Sequence, residues 1–306
     1  MLELSDIQSS QEELQDYYAQ LGAQHVTPAW IGGGISIEPR SEAVPYLWHW
    51  RDLRPQAMRA AELVGTQQAE RRVLRLTNPK LPGVASNTLV ANIQIVMPGE
   101  IARAHRHSAA ALRLIIEGEG GYTVVNGERV PMYPGDLVLT PNDHANDTDA
   151  PMIWLDGLDT PLVRMLEAGF YEEYDLERQD FGAAVNASQW HYPMSEMRAA
   201  LQRLAAANSG DTGEGIILEY KNRLTGGPVM PTIACHNELR LFLHVSRALR
   251  CLCRVAVDHF PPVPSTEERS RTMAGMPRGS GGIILRYKRR ALRSASGQEE
   301  PSRRDG

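Results

Sequence analysis

The chain has 306 residues with a formal charge of -5, is 42% hydrophobic and 23% charged, and so has the composition of a globular protein large enough for two domains or one sizeable core. No apolar run approaches the roughly 18–20 residues of a membrane span, and the acidic, polar start after Met1 is not that of a secretory leader. The expectation is a cytoplasmic protein with no membrane or nucleic-acid partner, because net negative charge gives no pull toward either. Those averages conceal a break: residues 235–306 carry 14 Lys and Arg against 7 Asp and Glu, a net of +7, which leaves 18 against 30, a net of -12, for residues 1–234.

In chain order, the first sixty or so residues read as helical, with Ser10 and Glu13 in capping-box spacing before Leu14, Tyr17, Tyr18 and Leu21. A second helix is expected from Arg54 to Val64, and residues 1–73 form an amino-terminal arm. From Leu74 the signal changes to short strands rich in Val, Ile and Leu: 92–97, 111–116, 121–125, 128–132, 135–140, 152–155 and 162–165. Asn126-Gly127 between two of them is a tight-hairpin signal, since both residues tolerate positive φ. Short strands, a tight turn and no intervening helices predict a mainly β fold, an antiparallel barrel or jelly roll over 74–170.

Ser195–Ala207 then reads as an amphipathic helix with Met197, Leu201 and Leu204 on one stripe, followed by a polar linker over 208–215. Beyond Ala234 the pattern degrades. Residues 239–257 can be drawn as a helix, and most of the last 45 residues, rich in Pro, Ser, Gly and Arg, are expected to be disordered. Cys235, Cys251 and Cys253 lie near His236, His244 and His259, but the C-x2-C and H-x3-H spacings of zinc modules are absent.

The chemically loaded segment is Ala104-His105-Arg106-His107. Two histidines at i and i+2 of a strand point to one side of a sheet, and two neutral imidazoles suit iron, zinc, copper or nickel. Gly99, His105, His107 and Gly118 fit the first cupin signature, G-x5-H-x-H-x3-E-x6-G, with Ala111 where many cupins carry a ligating Glu. Gly135 and Pro141 begin the second, G-x5-P-x-G-x2-H-x3-N. Longer stretches narrow the resemblance: Trp48-His49-Trp50-Arg51-Asp52-Leu53, SAAALRLIIEGEG from Ser108, PMIWLDGLDTPLV from Pro151, and TGGPVMPTIA from Thr225 to Ala234. The chain from Pro45 to Ala234 resembles the gentisate 1,2-dioxygenase family, whose relatives act on salicylate or 1-hydroxy-2-naphthoate.

That resemblance implies a double-stranded β-helix of the cupin type with Fe(II) held by three histidines, and a tetramer built from chains with two barrels. It also implies a hydroxylated aromatic acid and O2 as substrates, the ring opening between the carboxyl- and hydroxyl-bearing carbons. His105 and His107 match the first two iron ligands. Arg113 matches the arginine that pairs with the substrate carboxylate, Asp156 an active-site carboxylate and Gln94 a pocket-facing residue, while Arg72 or its neighbour Arg71 adds positive charge near the substrate.

The third ligand departs from the pattern. The family reads T-P-x-x-T-W-H-[DE]-H-G-N where this chain reads Thr140-Pro-Asn-Asp-His144-Ala-Asn-Asp, so cupin spacing falls on Asn146. Either His144 is the family's substrate-contacting histidine and the iron has lost a ligand, or a shortened loop aims His144 inward as its replacement. The second barrel is expected to be incomplete, because residues 171–234 supply a helical linker and its start but 235–306 carry no family motif. A shifted reading frame at Ala234 or a divergent tail would each produce that switch. Two functions follow: a ring-cleaving dioxygenase, or a non-catalytic cupin that binds an aromatic acid or a partner subunit.

Overall fold

The computed structural model describes residues 11–32, 41–69, 71–140, 148–175, 180–182, 188–207 and 216–237, and the backbone alone at 142–146, 238–239, 251–257 and 282–287. The chain divides into two units, residues 1–40 and 41–306. In the first, Gln11–Ala23 (α1) is a helix with no buried residue, and the Trp30 indole donates to the Tyr18 hydroxyl at 3.1 Å.

In the second unit, Trp48–His49 (β1) leads into Trp50–Leu63 (α2), then Arg72–Leu76 (β2), Val90–Val96 (β3), Ala102–His107 (β4), Ala111–Glu117 (β5), Tyr122–Val125 (β6), Glu128–Pro131 (β7), Leu137–Leu139 (β8), Asn142–Asn146 (β9) and Met152–Leu158 (β10). Thr160–Met165 (α3), Tyr171–Glu173 (β11), His191–Tyr192 (β12), Met194–Ala207 (α4), Ile216–Glu219 (β13), Ala234–Leu239 (β14), Cys251–Val257 (β15) and Gly282–Tyr287 (β16) follow. Two antiparallel sheets make the barrel, one ordered β12-β8-β5-β10-β3-β2 and the other β11-β4-β9-β6-β7. A third sheet runs β1-β16-β15-β14-β13. No helix among the described residues is long and apolar enough to cross a membrane.

The Asn126-Gly127 hairpin forms as expected: both residues have positive φ, +51° and +78°, and Val125 pairs with Glu128 across the two-residue turn. Gly118 is required by packing as well as by its φ of +123°, since a Cβ there would lie 2.8 Å from the Met152 Cα and 2.9 Å from the Pro151 carbonyl oxygen.

Alternation along the strands separates two cores. One side of the larger sheet carries Ile93, Ile95, Ile153 and Leu155, and against it pack Trp50, Leu53, Ala57, Met58 and Ala61 of α2, spaced three and four residues apart on one face. This helix begins at Trp50 rather than Arg54, with Pro55 inside it. Pro55 forfeits a single bond, to the Arg51 carbonyl, and Glu117 offsets the loss by accepting from the Trp50 indole at 3.0 Å and from Arg54 Nε at 2.8 Å. The opposite side carries Val96, Ile115, Val138, Met152 and Trp154, which meet Ala102, Val125 and Val130 of the smaller sheet to form the barrel interior.

Three sequence expectations are corrected. Residues 162–165, expected as a strand, lie in α3, because Asp159 at the N-cap and Pro161 in the first turn are helix-start signals that outweigh a short Leu-Val run. The helix drawn over 239–257 is replaced at both ends by strands β14 and β15, where Leu252, Val255 and Val257 favour extended backbone. Residues 282–287, inside the segment expected to be disordered, form β16, and the rest of that segment lies outside the described residues.

Arg72, on the α2 side of β2, makes a bidentate pair with Glu100 at 2.5 and 2.6 Å, its Nε donating to the Val64 carbonyl. Burial pushes the Glu100 carboxyl up, but the Arg72 hydrogen bonds, the Met97 N–H and the Arg72 charge outweigh it and hold the group below its ordinary value of 4.5. A carboxyl depressed only in the folded state stabilises the fold above that ordinary value and loses the contribution as pH falls through the lower one. Glu100→Gln should therefore lower the melting temperature at pH 7, with the gap to the parent closing as pH falls below the ordinary value of 4.5; a gap that stays constant from pH 7 into that acid range in thermal scans would contradict this.

Candidate active site

The barrel interior is apolar at one end and polar at the other. Register places Trp154 of β10 opposite Gln94 of β3, and one step along the same inward row Asp156 stands opposite Asn92 on one side and Arg113 of β5 on the other. Val96 and Met152 continue those rows in the other direction, and Ile115 stands beside Trp154 on β5. Arg113 is therefore inside the barrel, 3% exposed, where an arginine requires anionic and aromatic partners. It has both: Nε donates to Asp156 Oδ1 at 3.1 Å, and the guanidinium lies 4.3 Å from the Trp154 ring centroid.

Around this pair three buried polar atoms have no hydrogen-bond partner among the described residues: Asn92 Oδ1, Gln94 Nε2 and Trp154 Nε1. Leaving a buried donor or acceptor unmade costs about 1–3 kcal/mol, so an acceptor and two donors on neighbouring inward positions beside an arginine are suited to a polar, anionic molecule. Asn92 and Trp154 were missed by sequence reasoning. The signal was available, since each stands two residues before a singled-out position on its strand, Gln94 and Asp156, and so shares its face.

The histidine pair sits on the facing sheet. Ala102 pairs with Ala145 and His105 with Asp143, so β4 has one residue more than β9 over this stretch, a β-bulge. The bulge shifts the alternation and places His105 and His107 on the same face as the interior residue Ala102, while Arg106 points away and pairs with Glu172. The two imidazole centroids are 5.3 Å apart. His107 Nδ1 donates to the Ala109 carbonyl at 2.8 Å, which leaves Nε2 as the basic nitrogen, the arrangement typical of a metal-bound histidine. His105 stacks near Tyr171, at 5.2 Å between centroids, and Arg71 approaches its ring, with Nη2 2.7 Å from Nδ1 and Nη1 3.2 Å from Nε2.

Arg71 and Arg72 thus divide the roles that sequence left open between them: Arg71 reaches His105, and Arg72 is held by Glu100 on the other face of the sheet. Backbone register sets His144 between Asp143, opposite His105, and Ala145, opposite Ala102. Its side chain lies outside the described residues. Among the described residues no three His, Cys, Asp or Glu side chains converge as a metal cluster, so the donor set fits two of the three ligands of the implied iron centre.

The cupin-domain family model matches residues 92–157, from within β3 to within β10. Gentisate 1,2 dioxygenase 1 of Aquipseudomonas alcaligenes is 35% identical over 257 residues, covering 74% of each chain. The chain belongs to the gentisate 1,2-dioxygenase family. The family is one of oxidoreductases, and its members differ in substrate: 5-aminosalicylate 1,2-dioxygenase of Comamonas sp is 38% identical over 76% of this chain and 70% of its own. Salicylate 1,2-dioxygenase from Pseudaminobacter salicylatoxidans superposes with a TM-score of 0.65 at 35% identity over 76% of each chain, and a variant of it in complex with gentisate gives 0.66. The expected cupin fold, with a helical amino-terminal segment, is the fold observed.

Proposed function

We propose that this protein is an Fe(II)-dependent dioxygenase that opens the ring of a hydroxylated aromatic acid, converting gentisate to maleylpyruvate with both atoms of O2 incorporated. The observation that carries the reading is the buried Arg113–Asp156 pair on Trp154, beside Asn92, Gln94 and Trp154 polar atoms that lack partners among the described residues. Arg113 receives the substrate carboxylate, its guanidinium plane set by Asp156 and the indole below it. The Trp154 and Gln94 N–H groups donate to the oxygens of the acid, and the Asn92 carbonyl accepts from a ring hydroxyl. Apolar walls exclude water and strengthen each of these contacts.

His105 and His107 would hold the metal, with His144 the candidate for the third position, and Fe(II) so bound would supply a Lewis-acid site for the substrate and activation of O2. Arg71 adds positive charge beside His105. A homotetramer and a cytoplasmic setting belong to the same reading.

A second reading, an aromatic-acid-binding cupin without turnover, is favoured by one observation: the Arg71 guanidinium lies against both ring nitrogens of His105. Calorimetric titration with gentisate separates the two. For the dioxygenase, affinity falls at least about tenfold when the iron is removed by chelator, because two substrate oxygens lose their ligand site; binding indifferent to chelator would overturn the first reading in favour of the second.

A further inference from the structure

Asp159 occupies the N-cap of α3, yet its carboxylate makes no cap hydrogen bond to that helix. An Asp at this position ordinarily accepts from the second or third backbone N–H of its own helix. Here the first-turn N–H groups of Leu162 and Val163 are taken by the Asp159 backbone carbonyl, at 2.9 and 3.1 Å. The side chain, 3% exposed, is directed elsewhere. Oδ1 accepts from the Ala110 N–H at 2.7 Å, and Oδ2 accepts from the Thr232 hydroxyl at 2.5 Å. The Asp159 N–H also donates to the Ala110 carbonyl at 3.3 Å, so the two residues are joined in both directions.

Ala110 closes the turn between β4 and β5, and the residue before it supplies the carbonyl that fixes His107: Nδ1 to Ala109 oxygen, 2.8 Å. A continuous chain therefore runs from the imidazole through the Ala109–Ala110 peptide to Asp159 and on to Thr232. Thr232 belongs to the segment 225–234, which lies well beyond the barrel in sequence. Nothing in the substrate cradle uses that segment. Its neighbours Val229, Met230 and Ile233 are buried against Leu112 and Leu139 of the barrel wall, so Thr232 is delivered to Asp159 by a packed surface.

We propose that Asp159, braced by Thr232, is a positioning residue for the metal-binding imidazole of His107: it holds the Ala109 carbonyl where it orients that ring, and makes the segment 225–234 part of the metal centre. The inference rests on His107 being a metal ligand. The Asp159 carboxyl group accepting from the Ala110 N–H polarises the peptide whose carbonyl accepts from the imidazole N–H, which raises the basicity of Nε2.

The test is Co(II) titration of the metal-free full-length chain, read by the visible d–d absorption, for the parent, Asp159→Asn, Thr232→Val, Thr232→Ser and His107→Ala. Asp159→Asn should weaken Co(II) binding by about 10- to 100-fold with an altered absorption band, the usual consequence of losing an outer partner of a ligating histidine. Thr232→Val should move in the same direction, and Thr232→Ser, which keeps the hydroxyl, should return to the parent value. If His107→Ala weakens binding while Asp159→Asn or Thr232→Val, folded by circular dichroism, binds as the parent does, the positioning role is overturned and the metal reading stands. If His107→Ala leaves Co(II) binding unchanged, the metal reading itself fails and the proposal falls with it. Should Asp159→Asn fail to fold, the Thr232 pair decides: equal loss in Val and Ser variants contradicts the proposal.

Discussion

Arg113→Met is expected to raise the dissociation constant for gentisate by two orders of magnitude or more and to destabilise the fold at the same time. The binding loss follows from removing the buried guanidinium placed beside the Gln94 and Trp154 donors that have no partner among the described residues; truncating a buried, hydrogen-bonded charge typically costs about 2–5 kcal/mol of affinity. The stability loss has a different origin. Asp156 is left as a buried carboxylate without its cation, a defect worth about 3–5 kcal/mol. The double variant Arg113→Met, Asp156→Asn removes both charges and should recover most of the stability while recovering none of the binding. Urea denaturation and calorimetry measured side by side check this, and a double variant that regained affinity would show that Arg113 serves the fold and not the ligand.

The second large effect concerns the histidines. His105→Ala and His107→Ala should each weaken Co(II) binding by more than about 100-fold, beyond the range of outer-partner changes, because each removes a direct donor. Arg71→Ala should act in the opposite direction: its guanidinium lies within 3.2 Å of both His105 nitrogens, so a cation is removed from the neighbourhood of a second cation. Tightened Co(II) binding in Arg71→Ala with loss in both histidine variants is the expected pattern. Unchanged affinity in the two alanine variants of His105 and His107 would place the metal elsewhere.

Much of this was legible in the sequence because it is local. The Asn126-Gly127 turn and the His105-x-His107 spacing depend on near neighbours and on the period of two that every strand imposes. What escaped is set by pairing between distant segments. The bulge between Ala102 and His105 exists only in relation to β9, and without it His105 would fall on the face opposite Ala102. The choice between Arg71 and Arg72 depends on how β2 pairs with β3, where Arg72 meets Ile95 on the outer face and Val73 meets Gln94 on the inner. The Asp159 carboxylate, at an N-cap that the strand reading of 162–165 overlooked, is spent on Ala110 and Thr232, the latter 73 residues away. Strands β15 and β16 were hidden by a composition of Arg, Ser and Pro whose short apolar stretches find partners only across the sheet.

In the proposed function this barrel couples an aromatic-acid cradle to an iron centre that uses O2. Oxygen consumption on adding gentisate to the full-length chain, loaded anaerobically with Fe(II) and with its iron content determined, tests it most directly. The prediction is uptake of one O2 per gentisate with appearance of the ring-opened product; a fully metallated protein that binds gentisate and consumes no oxygen would contradict it.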